Sequence, residues 1–131
     1  MYKSIVCAIE NSDEGLEVLT KAVEFSKLCN AKLFVTHIIP YSLFPKDYQK
    51  ELQEDAQPSI EAKAESLGIS LKNVSIKFGK PYEQICLLAK KKKADLIILG
   101  THSKKGIHAL IGSTANGVAN YAKCDVNLIK I

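Results

Sequence analysis

Nothing in the 131 residues approaches the run of roughly 18 apolar residues that a membrane helix requires, although 47% of the chain is hydrophobic. A membrane-spanning role is therefore not expected. The chain passes within four residues of Met1 into the short apolar run Ile5 to Ile9, without the longer apolar region and small-residue cleavage site of a secretory signal, so the expected location is the cytoplasm. Its four cysteines, Cys7, Cys29, Cys86 and Cys124, form no CxxC pair. That leaves no ligand-like spacing for a structural metal and favours buried free thiols over disulfides. The formal charge is +4, but no aromatic residues that could stack bases interleave the lysine run 90–93. Anionic small molecules are favoured over nucleic acid, and the run reads as a solvated helix end. Neither GxxxxGK[ST] nor GxGxxG occurs, which removes the P-loop and the dinucleotide fingerprint. No ordered base, nucleophile and orienting acid can be named, and no carboxylate pair has a metal-binding spacing, so an efficient enzyme is not expected.

What is present is a regular alternation of two periodicities over the length of about one domain, residues 1–131. Residues 2–10 read as a strand. Asn11, Ser12 and Asp13 then offer capping side chains ahead of a helix near 13–29, in which Val18, Ala22, Phe25 and Cys29 recur at helical spacing and Asn30 ends the run. A second strand, 32–39, stops at Pro40 and leads into a loop over 41–47. Leu52, Ala56, Ile60, Ala64 and Leu67 share one face of a second helical region, which Pro58 is expected to kink or split and Gly68 to cap. Residues 71–78 alternate apolar and polar, the pattern of a strand near an edge, and Pro81 opens a third helix. Residues 95–99 form an unbroken apolar strand, and 125–131 an outer one. Such alternation means an α/β fold with a single open, mostly parallel five-stranded sheet and helices on both faces. His37, inside an apolar strand, reads as a packed core residue.

Strands one and four are the most continuously apolar and are expected side by side in the centre, where the winding of the chain reverses. Ligands of open α/β sheets bind there, beyond the carboxyl ends of the strands. Two segments distant in sequence converge on that point. The first is Ile9, Glu10, Asn11 and Ser12; the second runs from Gly100 through His102, Ser103 and Lys104 to Gly112, Ser113 and Thr114 at the start of a helix. A strand end, glycines that permit close approach and the free donors of a helix N-terminus make a candidate phosphate site. Lys104 and Lys105 sit where a γ-phosphate would protrude. Each feature also has a plain structural role: the glycines as strand exit and helix start, Ser113 as N-cap, Glu10 as a solvated strand end, the lysines as loop charges.

With Gly100-Thr101-His102-Ser103, the Gly112-Ser113 pair, the first strand ending Ala8-Ile9-Glu10-Asn11-Ser12, the second ending Val35-Thr36-His37-Ile38, and the Gly79-Lys80-Pro81 turn, the chain resembles the universal stress protein family over essentially its whole length. The resemblance implies a Rossmann-like fold of the adenine-nucleotide alpha-hydrolase type with strand order 3-2-1-4-5. It further implies a homodimer that binds ATP or AMP, with Mg2+, and signals to a partner protein through its bound state. By that match Gly100, Gly112 and Ser113 would hold ribose and phosphates, and Ile9, Glu10 and Ile38 would line the adenine and ribose pocket. Ser103 stands where nucleotide-binding members carry a second glycine, the interval from Gly100 to Gly112 is one residue short, and Glu10 replaces the usual aspartate. The outer strand 125–131 is the expected dimer edge. A dimeric interaction protein that binds no nucleotide, and a slow ATPase, are the alternative readings.

Overall fold

Ile5, Val6 and Cys7 are fully buried in a row, so the strand that carries them has to be covered on both faces. The computed structural model describes residues 1–40, 46–102 and 112–131. Of the loop expected over 41–47, residues 41–45 lie outside the described residues and the last two open a helix instead; Ser103, Lys104, Lys105 and His108, with the rest of 103–111, also lie outside the described residues. The elements are β1 (Ser4–Ala8), α1 (Asp13–Cys29), β2 (Lys32–Pro40), α2 (Lys46–Ser66), a 3-10 turn (Leu71–Asn73), β3 (Val74–Gly79), α3 (Pro81–Lys91), β4 (Leu96–Thr101), α4 (Ser113–Tyr121) and β5 (Asp125–Lys130). The strands form one parallel sheet in the expected order, β3-β2-β1-β4-β5.

Side chains alternate between the faces. Ile5, Cys7 and Ile9 of the β1 segment, with Leu96 and Ile98 of β4, pack against Val18, Leu19, Ala22 and Val23 of α1 and Ile60 of α2. Val6, Ile97 and Leu99 face the other way, against Ile85 and Ala89 of α3 and Ala115 and Val118 of α4. Beyond these two layers, three expectations need correction. Residues 71–73 form a 3-10 turn instead of the start of a strand. α2 runs as one helix through Pro58, which lies on its exposed side, where the carbonyl left without a donor can be hydrated. Of the four thiols only Cys7 is buried; Cys29, Cys86 and Cys124 are partly exposed, all four unbridged.

Three helices stop in the same way. Asn30, Gly68 and Lys93 have φ of 54°, 78° and 52°, and the next residue in each case (Ala31, Ile69, Ala94) donates back across the last turn to Ser26, Ala64 and Ala89. This is the Schellman arrangement, which satisfies end carbonyls and turns the chain toward the next strand.

At the amino ends of the central strands, the Asp95 carboxylate accepts from the backbone N–H of Lys3 at 3.0 Å and of Ser4 at 3.1 Å. Desolvation pushes this carboxyl up, but the backbone donors of Lys3, Ser4 and Asp95 together outweigh it and hold the group below the usual carboxylate range. A carboxyl depressed in the folded state stabilises at pH values above its unfolded value, about 3.9, and loses that contribution as pH falls through the folded value. Asp95→Ala should therefore cost about 1–2 kcal/mol at pH 7. Urea unfolding at stepped pH should show the gap to the parent chain shrinking below about pH 4.

Candidate functional site

Where β1 ends its ladder, the backbone of Ile9 is held from both sides. Its N–H donates to the Thr36 carbonyl at 2.9 Å, and its carbonyl accepts from His37 Nδ1 at 2.8 Å. Because a carbonyl can only accept, Nδ1 carries the proton. His37 is thus a fastener for the exit of β1 as well as a wall residue of the crevice, in correction of its reading as a packed core residue. The apolar run around it hides the signal; an imidazole in such a run needs a partner, and the strand end supplies one.

The turn into α1 is equally constrained. Ser12 is the N-cap, its Oγ accepting from the Gly15 N–H at 3.1 Å. A side chain at Gly15 would overlap the carbonyl oxygen of Glu10. Asn11 turns away from the crevice, its Oδ1 accepting from Ser59 Oγ at 2.8 Å and Lys63 Nζ at 3.2 Å on α2.

Beyond β1 and β4 lies a cavity of about 290 Å³, to which Ile9, Glu10, Ile38, Gly100 and Thr114 contribute as the sequence suggests. Gly15, Val18, His37, Pro81 and Ile131 also line it and were not singled out as site residues. Gly100 is there because of packing: a Cβ would come within 2.8 Å of Val18 Cγ2 and 2.9 Å of Ile131 Cδ1. Gly112, by contrast, has nothing among the described residues within 4 Å of where a Cβ would stand. It is the N-cap of α4, so Ser113, expected as the cap, is instead the first helical residue. As a glycine, this N-cap has no side chain to bond the first N–H groups of α4, and no side chain among the described residues caps them.

Glu10 and His102 meet across the mouth, Oε1 to Nε2 at 2.8 Å, with side chains 54% and 57% exposed. The carboxylate accepts, so Nε2 donates. Ser12 Oγ lies 3.5 Å from Glu10 Oε2. Cys7, beneath the site, is pushed up to about 12 by burial and stays a neutral thiol, unsuited to thiolate chemistry. Among the described residues no three His, Cys, Asp or Glu side chains cluster as metal ligands.

The sequence pattern of the Universal stress protein family matches residues 1–130. The chain belongs to this family. Universal stress protein A homolog 2 of Coxiella burnetii is 34% identical over 142 residues, covering 99% of this chain and 96% of that one. A universal stress protein solved in complex with cAMP is 27% identical with a TM-score of 0.66, covering 98% and 96%. The Archaeoglobus fulgidus universal stress protein in complex with dAMP is 24% identical with a TM-score of 0.67 over 98% of each chain, a likeness of fold.

The two kinds of glycine in this family site should separate cleanly. Gly15→Ala and Gly100→Val should each cost about 2 kcal/mol or more, because backbone or packed side chains must move. Gly112→Val and His102→Ala should each change stability by less than about 1 kcal/mol, the latter because its contact with Glu10 is exposed. Urea midpoints for the four variants measure this.

Proposed function

We propose that the chain binds an adenine nucleotide, ATP or AMP, in the crevice beyond β1 and β4, and that it works as a cytoplasmic homodimer whose nucleotide occupancy signals to a partner protein. The observation that carries the reading is the cavity at the reversal of strand order, bordered at Thr114 by the start of α4, whose N-cap Gly112 has no side chain of its own. Its volume lies near the lower end of ligand sites, about 300–1,000 Å³, which suits a nucleoside with its phosphates directed toward Gly112 and Ser113. The relative in complex with cAMP supports the same ligand class. Glu10 is the one carboxylate among the described lining residues. One carboxylate does not make a magnesium cage, so Mg2+ would arrive on the phosphates and be held mainly by them. A homodimer would pair the outer edge of β5, which has no strand partner among the described residues.

One observation favours a second reading, a dimeric interaction protein without nucleotide: the Glu10 carboxylate is already taken by His102. Calorimetric titration of stripped protein with Mg-ATP and then AMP separates the two. Binding on the order of 1–100 µM is expected, weakened at least about tenfold by Gly112→Val, a substitution into open space. No heat from either nucleotide at millimolar concentration would overturn the proposal in favour of the second reading. Sedimentation equilibrium should give twice the chain mass of 14.4 kDa; a monomer would remove the dimer from both.

A further inference from the structure

On the α3/α4 face, away from the crevice, lies a groove of about 530 Å³, within the size range of small-molecule sites. Its floor is apolar, with Ala89 and Ile97 buried beneath it. At one end Tyr82 and Tyr121 stack with ring centroids 5.1 Å apart and an interplanar angle of 23°. A Cβ at Gly117 would stand 2.6 Å from the Tyr82 ring, so α3 and α4 are drawn tightly together there. Leu87 and Tyr121 are 59% and 66% exposed, large apolar side chains left on the rim.

The polar groups are distributed unevenly along this groove. The carboxylate Glu83 belongs to the first turn of α3, Lys90 and Lys93 to its last turn and just beyond, and Lys123 follows the end of α4; all four line the groove. Lys92 takes no part, its Nζ standing 4.8 Å from the Phe34 ring centroid. Cys86 and Cys124 also line the groove, and burial raises both thiols, which keeps them neutral; the nearby carboxylates of Asp125 and Asp95 raise Cys124 further. A lysine run that as sequence reads as a solvated helix end thus contributes two cations to an apolar cleft.

We propose that this groove is a second ligand site, taking a small amphipathic monoanion: an acyl chain laid between α3 and α4 over Ala89 and Ile97, with its carboxylate among Lys90, Lys93 and Lys123. The charge pattern selects the sign of the head group, and the apolar floor selects the chain. The site is independent of nucleotide binding.

Decanoate and decyltrimethylammonium, which share a ten-carbon chain and differ in charge, test it. Titrated below their micelle concentrations into the full-length 15N-labelled protein, decanoate should shift the amides of Cys86, Leu87, Ala122 and Cys124 with a Kd on the order of 0.1 mM, and the cation far less. The triple variant Lys90→Gln, Lys93→Asn, Lys123→Gln should weaken decanoate about tenfold with an unchanged urea midpoint. Asparagine at 93 suits the left-handed backbone there. Equal shifts from the cation, unchanged affinity in the triple variant, or shifts confined to the crevice would each overturn the proposal. So would groove shifts that follow protein concentration without decanoate, which would give the groove to a second copy of the chain.

Discussion

The structure depends on β1 being apolar on both faces. Ile5, Cys7 and Ile9 need α1 and α2, Val6 needs α3 and α4, and no edge position could satisfy both. β1 therefore lies between β2 and β4, and the chain winds outward from it in both directions. Reversal of the winding at this pair leaves no crossover helix directly above the carboxyl ends of β1 and β4, and the crevice opens there.

The same requirement explains what could be read without the structure. Unbroken apolar strands at 5–9 and 96–99 placed the centre, and the alternating strand near 74–78 placed an edge, because burial on one or two faces is written directly into side-chain period. Residues 71–73 were misread because an alternating pattern does not show where pairing starts. Pro58 does not split α2, since an exposed proline on a long helix leaves its orphan carbonyl in water.

Of the residues lining the crevice, Ile9, Glu10 and Gly100 were legible because strand ends in this topology must converge, Thr114 because it opens the helix that follows, and Ile38 only through the family resemblance. His37 and Gly15 were not. The role of His37 depends on a hydrogen bond to a residue 28 positions away, and that of Gly15 on the path of a carbonyl in the preceding turn. Neither leaves a trace in periodicity or spacing. The cysteines carry a related lesson: apolar neighbours in sequence suggest that Cys29 and Cys86 are buried, but both are partly exposed, Cys86 in a groove beside α3.

The two walls of the crevice differ in freedom. On the α1 side the backbone of Glu10 fills the space of any side chain at 15, and Val18 and Ile131 close on Gly100. On the α4 side, among the described residues, nothing stands within 4 Å of a Cβ at position 112 and no side chain caps the helix. Descendants of such a fold can therefore change what they recognise by altering the α4 wall alone, while the wall that secures β1 stays as it is. On the proposed reading, ligand preference and foldability fall to different residues, and selection can act on one without disturbing the other.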